Sequence, residues 1–275
     1  METTGIKSMK LYGQVERIYN DLKAAGFSDD DPLSVGDLSP FDQYHYFGTK
    51  AVDDAAKRLA IGTDSRVLEV GSGIGGPSRH LAERTGCQIT ALELQPDLDD
   101  VARSLTGRCG LAERVEHVCG DVLAHPLPAE SYDAVVSWLA LYHVPDQTAL
   151  FARCADTLKP CGALYAEDLY ERAPLTDDER NRVAHELYGA GLTTRENYCA
   201  TLQTTGFEEI TFEDVSELWA THVAERLERY RAGYERHVAV HGEDVVAALD
   251  HFYDIMNAMF VGGHLGGVRI VARKA

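Results

Sequence analysis

What the chain lacks narrows it first. Across its 275 residues there is no apolar run of 18 or more, the length a helix needs to cross a bilayer core. Residues 1–19 carry no apolar signal-peptide core, so a soluble, unexported, cytoplasmic protein without membrane attachment is expected. The six cysteines, at 87, 109, 119, 154, 161 and 199, include no Cys-x-x-Cys pair, which argues against zinc and disulfide frameworks and for reduced, packed thiols. Basic residues are scarce: 26 Lys and Arg stand against 44 Asp and Glu, a formal net charge of −18. Binding a phosphate backbone needs a cationic face, so nucleic acid is not expected as a partner. The same acidity serves solubility or favours a cationic ligand. There is no internal repeat and no low-complexity tract, and 45% hydrophobic content over this length suits one large α/β domain with helical additions.

One stretch organises the rest. Residues 66–76 read Arg-Val-Leu-Glu-Val-Gly-Ser-Gly-Ile-Gly-Gly: a short, partly β-branched apolar run, then glycines, then Pro77-Ser78 able to start a helix. Glycine allows positive φ and close approach of backbone to a ligand, and a helix N-terminus aims free N–H groups back at the turn. Gly71-x-Gly73-x-x-Gly76 satisfies the dinucleotide fingerprint literally, so the turn alone leaves open a nicotinamide site, a nucleoside-sulfonium site and a turn shaped by sterics only.

The surrounding pattern alternates strands and helices. A helix is expected over 9–27, a loop over 28–32, and an aromatic segment over 40–48 that is neither helix nor strand and either caps the core or lines a pocket. Helices follow over 50–59 and 78–84, and then a strand over 88–94 containing Glu93, 22 positions after Gly71. That is close to the spacing at which a carboxylate accepts from two ribose hydroxyls. Next come a helix over 97–107, a strand over 115–119 running into Gly120-Asp121, and a strand over 132–138 that leads to Leu141-Tyr142-His143. A helix over 148–158 stops at Lys159-Pro160-Cys161-Gly162 before a strand over 163–167. Thr176 caps a further helix; a helix over 194–203, a strand over 207–212, two helices over 217–239 and 243–259, a glycine-rich return and a last strand over 268–272 complete the order. His237 and His241 share a helical face, but no base stands between them and Gly242 ends the helix, so a solvated or helix-terminal pair is expected and no metal. The expected fold is α/β: a Rossmann-like, seven-stranded, mostly parallel sheet with an antiparallel last strand, helices on both faces, a helical N-terminal lid over 1–48, and a main domain over 49–275 carrying a helical cap at 214–262.

Together the glycine turn from Val67 to Gly76, Glu93, Gly120-Asp121 and Leu158-Lys159-Pro160-Cys161-Gly162 resemble the class I methyltransferases that use S-adenosylmethionine, over roughly residues 45–275. Within them, His143, the Tyr-Phe-Gly segment at 46–48 and the ending from Phe252-Tyr253 to Gly267 resemble the sarcosine/dimethylglycine and phosphoethanolamine N-methyltransferases, although the usual Lys-Pro-Gly-Gly is Lys-Pro-Cys-Gly here. The resemblance implies S-adenosylmethionine as cofactor. Gly71, Ser72 and Gly73 would hold its amino-acid end with Glu69 orienting the ammonium; Glu93 and Leu94 would serve the ribose, Asp121 and Val122 the adenine, with Ser137 alongside. It implies a small-molecule acceptor, an amine or amino acid of the glycine, sarcosine or dimethylglycine kind. His143 would take the proton while Tyr44 and Tyr46 close over the methyl, and Trp138, Tyr142, Tyr170, Trp219 and Tyr253 would form a substrate-binding cage, since aromatic faces attract methylated ammonium groups. Core packing is the competing expectation for Trp219 and Tyr253. O- or S-methylation of a small metabolite, nicotinamide-dependent oxidoreduction and a non-catalytic binding module stay open as alternatives, and a homodimer is allowed.

Overall fold

Strands that are apolar on both faces must be covered twice, and this requirement shapes the molecule. In the computed structural model, which describes residues 14–275, β1 (Arg66–Val70), β2 (Gln88–Glu93), β3 (Val115–Cys119), β4 (Tyr132–Trp138) and β5 (Leu158–Glu171) pair in parallel. β6 (Phe207–Asp214) and β7 (Leu265–Lys274) complete seven strands in the order β3-β2-β1-β4-β5-β7-β6, with β7 antiparallel to both neighbours. This is the expected seven-stranded, Rossmann-like sheet.

Alternate residues serve opposite faces. Val67, Ala134, Val136 and Tyr165 join one cluster with helix α3 (Thr49–Arg58) and helix α4 (Gly76–Thr85), whereas Leu68, Val135, Leu164 and Ile270 join another with helix α6 (Gln147–Thr157) and helix α8 (Arg195–Thr204). Burying a side chain of this size stabilises by about 1.5–3 kcal/mol. Helices α1 (Arg17–Ala24) and α2 (Val35–Asp42) pack through Ile18, Leu22 and Leu38 on Leu98, Val101 and Leu105 of α5 (Pro96–Arg108). Helix α7 (Asp177–His185) lies between β5 and α8. Helices α9 (Ser216–Ala232), α10 (Tyr234–His241) and α11 (Glu243–Gly262) fill the connection from β6 to β7. Among the described residues no helix is long and apolar enough to cross a membrane.

Several elements differ from the sequence pattern for identifiable reasons. The leading part of the helix expected over 9–27 and most of the stretch read for a signal peptide lie outside the described residues. Helix α2 takes in Pro40 and Phe41, which were expected in irregular chain. It starts at a capping box in which the Ser34 hydroxyl accepts from Asp37 N–H and Asp37 accepts in return from Ser34. The helix expected over 217–239 is broken at Gly233 into α9 and α10. β5 begins at Leu158 and runs 14 residues, so Lys159 to Gly162 belong to the strand and do not precede it. The second half of the glycine-rich return, Leu265 to Gly267, is strand as well: a Cβ on Gly267 would lie 2.3 Å from the Trp219 ring, so β7 needs glycine there to let the indole pack against it. His241 pairs with Asp21 of α1 at 3.1 Å, and His237 stacks on Tyr230 with ring centroids 4.6 Å apart.

The N-terminal helices are fixed to the sheet domain by an ion pair with no exposed surface. Arg79 Nη2 of α4 donates to Asp42 Oδ2 at 2.9 Å, both side chains being 0% exposed. Asp42→Ala strands the guanidinium without its counter-charge and should cost about 3–5 kcal/mol, read as a lower urea midpoint; an unchanged midpoint would show that the pair fastens nothing.

Candidate active site

Parallel strands end on one edge, and here the tips of β1, β2 and β3 meet. After Val70 the chain turns through Gly71 at φ +76°, where a Cβ would stand 2.2 Å from Ala140 Cβ; only glycine lets the turn come this close to the chain after β4. The N–H groups of Gly71 and Ser72 donate to the Leu92 carbonyl at 2.9 and 3.1 Å. Gly73 N–H donates to Glu93 Oε2 at 2.8 Å, and Gln95 N–H to Glu93 Oε1 at 2.9 Å. One carboxylate thus fastens the turn to the end of β2. Gly120 N–H in turn donates to the Glu93 carbonyl at 2.8 Å, which brings Asp121 to the same edge, where its Oδ1 accepts from Leu123 N–H at 2.9 Å.

These tips open onto a cavity of about 650 Å³. Gly71, Ser72 and Gly73 form one wall, with Glu69 behind them; Glu93 with Leu94 and Asp121 with Val122 form the next. Nothing lies within 4 Å of a Cβ built on Gly73, which leaves a bare backbone cradle facing the cavity. Glu69 is buried and accepts from the Ser78 hydroxyl, and burial pushes its carboxyl up to about 8 despite that bond and the nearby Arg79. Burial also raises Glu93, against the amides of Gln95 and Gly73 that favour its charged form. Acceptors at two strand tips and a bare cradle suit a ligand presenting hydroxyls, an amino group and a flat base. Ser137 stands apart from this set: it is fully buried beside β1, donating to the Val70 carbonyl at 2.8 Å, and it does not line the cavity.

The other half of the cavity is aromatic and apolar. Tyr44, Trp138 and His143 line it, and the Arg17 guanidinium lies 5.0 Å above the Tyr44 ring. His143 ends a short 3₁₀ turn after β4. Its Nδ1 lies 3.0 Å from the Tyr188 carbonyl, which can only accept, so the proton sits on Nδ1 and Nε2 is the ring's acceptor atom. Burial lowers its pKa to about 4, and the ring is neutral at pH 7.

Besides Ser137, five residues expected at the site lie elsewhere. Tyr46 turns away from the cavity and packs edge-on against Trp219, centroids 4.7 Å apart, in the cluster formed by the cap helices. Trp219 is 0% exposed beneath it. Tyr253 packs on Tyr230 and under Arg226, Tyr170 stands edge-on to Phe212, and Tyr142 is buried with Leu187 and Val183. Each is held by core packing, which aromatic area rewards more than an open pocket does. Conversely, the sequence reading passed over the segment from Glu171 to Leu192, whose Leu175, Arg180, Val183 and Tyr188 close the aromatic half. The available signal was the helical spacing of Arg180, Val183 and Ala184 behind the Thr176 cap.

Comparisons with known proteins agree with this geometry. A protein-family profile described as a methyltransferase domain matches residues 68–166. The chain is 28% identical over 196 residues to a sarcosine/dimethylglycine N-methyltransferase of Halorhodospira halochloris, covering 70% of each chain. It is 40% identical over 127 residues to a ubiquinone biosynthesis O-methyltransferase of Xanthomonas campestris, covering 46% of this chain and 51% of that one. Among solved structures, a Haemonchus contortus phosphoethanolamine N-methyltransferase 2 in complex with S-adenosyl-L-methionine superposes with a TM-score of 0.79 at 20% identity, over 96% of this chain and 59% of that one. The glycine turn and Glu93 fall inside the matched profile, so the chain carries a methyltransferase domain similar to those of the class I S-adenosylmethionine-dependent methyltransferases.

Proposed function

We propose that the protein transfers a methyl group to the nitrogen of a small amine or amino acid. The observation that carries this reading is the neutral, part-buried His143, which lines the same cavity as the carboxylate-bearing strand tips and the aromatic side chains. S-adenosylmethionine supplies an activated methyl group, so the protein's part is to align the nucleophile and exclude water. In this reading Gly71, Ser72 and Gly73 receive the amino-acid end, Glu69 faces its ammonium, Glu93 accepts from the ribose, and Asp121 with Val122 holds the base. His143 Nε2 accepts a hydrogen bond from the acceptor's N–H and so points the lone pair at the methyl. Tyr44 and Trp138 offer ring faces to the positive charge that develops on nitrogen. Of the segment before residue 49, the described residues 14–48 close the cavity through Asp42, Tyr44 and His45, while 49–275 carry the transfer and 214–262 cap the sheet.

A second reading, O- or S-methylation of a small metabolite, draws on the apolar side chains Leu139, Leu175, Val183 and Leu192 in the same half. Mass spectrometry of products from amines, phenols and thiols incubated with S-adenosylmethionine separates the two: methylated phenol or thiol with no methylated amine rejects the first.

His143→Ala should lower kcat about a hundredfold while changing the dissociation constant for S-adenosylmethionine only a few-fold. Equal losses in both would make His143 structural. Glu69 yields a pH prediction. In the unliganded protein its carboxyl is raised from 4.5 to about 8 and so holds a proton at pH 7. A cation bound beside it favours the carboxylate, so binding expels that proton, and affinity rises with pH until about 8, where it levels off. Titration calorimetry in buffers of different ionisation enthalpy should find close to one proton released at pH 7 in the wild type and none in Glu69→Gln; equal release from both would exclude Glu69 as the source.

A further inference from the structure

The 3₁₀ turn that carries His143 is gripped from three sides. From α6, Gln147 Nε2 donates to the carbonyls of Leu141 and Val144, each at 2.8 Å. From β5, Asp168 Oδ1 accepts from Tyr142 N–H at 3.3 Å. The third grip comes from the segment after α7, residues 186–192. Here Gly191 N–H donates to the Tyr142 carbonyl at 2.8 Å, and the Tyr188 carbonyl stands 3.0 Å from His143 Nδ1. The first two hold main chain; the third also reaches the imidazole. This approach is close enough to need glycine on both sides of Ala190. A Cβ on Gly189 would lie 2.8 Å from Val183 Cγ1, and one on Gly191 2.1 Å from the Val144 carbonyl oxygen. Between α7 and these contacts stands Tyr188, at φ +51°. Positive φ is uncommon for so bulky a residue and persists where the surroundings over-determine it. Here they do: Leu187 is buried in one cluster with Val183 and Tyr142, and Gly189 N–H donates to the Val183 carbonyl at 2.9 Å.

We propose that Tyr188 is a positioning residue that acts through its main chain: the left-handed turn that lays residues 188–192 along the aromatic, acceptor half of the cavity also aims the Tyr188 carbonyl at His143. The proposal rests on the amine reading above and deepens it. A neutral imidazole can carry its proton on either nitrogen, and the hydrogen bond made by one decides what the other offers. With the Tyr188 carbonyl at Nδ1, Nε2 is left to accept. Tyr188, Gly189, Ala190 and Leu192 are also part of the cavity wall, so the wall that encloses an acceptor and the tautomer that receives it are set by one backbone conformation. The ionisable groups on the elements around the turn are Tyr142, its ring centroid 3.9 Å from that of His143; Asp168, which burial raises to about 7; Asp146 at the head of α6; and, along the cavity, Tyr44 and the pair of Glu171 with Arg180.

Asparagine tolerates positive φ and valine does not, while both remove the phenol, so Tyr188→Asn and Tyr188→Val separate main chain from side chain. Ring-nitrogen NMR of histidine-labelled protein reads the tautomer, the His143 signal being the one lost in His143→Ala. Wild type and Tyr188→Asn should show the proton on Nδ1 and a titration midpoint near 4; Tyr188→Val should show a mixture of tautomers and a midpoint moved toward the ordinary 6.5. With sarcosine as acceptor, kcat in Tyr188→Val should fall about tenfold below that of Tyr188→Asn, with equal affinity for S-adenosylmethionine in both. Identical His143 titrations and kcat in the two variants, or a proton on Nε2 in the wild type, would overturn the role of Tyr188. The wild-type tautomer needs no variant, so misfolding of Tyr188→Val leaves the proposal exposed to refutation. Wild-type protein that binds S-adenosylmethionine but methylates neither sarcosine nor N-methylethanolamine would count against the amine reading, and the tautomer would still decide the role of Tyr188.

Discussion

A guanidinium and a carboxylate without exposed surface, Arg79 and Asp42, determine how the chain before β1 meets the chain after it. Removing two charges from water costs several kcal/mol for each ion, and attraction offsets that only when the remaining polar atoms are also served. Here they largely are: Arg79 Nη1 reaches Thr106 Oγ1 at 3.2 Å, and Asp42 Oδ1 accepts from Gln43 Nε2 at 2.8 Å. A neutral ring completes the arrangement, because burial and the nearby Arg79 and Arg103 lower His117 to about 3 and spare the pocket a further positive charge. With Asp42 fixed on α4, which begins where the glycine turn ends, Tyr44 and His45 two and three residues later stand on the cavity wall and not in solvent.

The same economy of positive charge runs through the site. Strand tips supply carboxylates, burial raises two of them, and the backbone supplies donors through the glycine turn. In the proposed reading, a ligand with a cationic centre is accommodated because Glu69, raised to about 8 by burial, can give up its proton, not because a fixed anion waits there. The acceptor half works in the opposite sense. It contains neutral histidine, aromatic faces and aliphatic walls, and the guanidinium at its rim is balanced by Glu171.

How much of this was legible depends on how local each signal is. The strands β3 and β4 were readable to the residue, because β-branched runs bounded by turn residues need no tertiary context. Glu93 and Asp121 were readable because a parallel sheet puts successive strand ends on one edge. Helix α2 was hidden by Pro40, although the Ser34 and Asp37 pair announced a helix start. Tyr44 and Tyr46 could not be told apart: two positions separate them, and only the turn between them, fixed by Asp42 from a distance, sends one to the cavity and the other onto Trp219. Gly267 reads as a loop residue until the indole it accommodates is known. Arg180 is marked only by its helical spacing to Val183 and Ala184, a weak signal because a charged residue on an exposed helix is the commonest surface pattern.

The position of β7 also bears on how the molecule is made. β5 and β6 emerge from the ribosome well before it, yet neither pairs with the other; each waits for the same later strand to slot between them. During synthesis the β5 edge, with Leu164, Ala166 and Leu169 along it, has no partner on that side until about a hundred further residues have been added. Trp219 likewise has no floor to lie on until Gly267 arrives. Vectorial folding can therefore complete the half of the sheet built from β1 to β4 early, while the half that carries the cap closes in one late, long-range step.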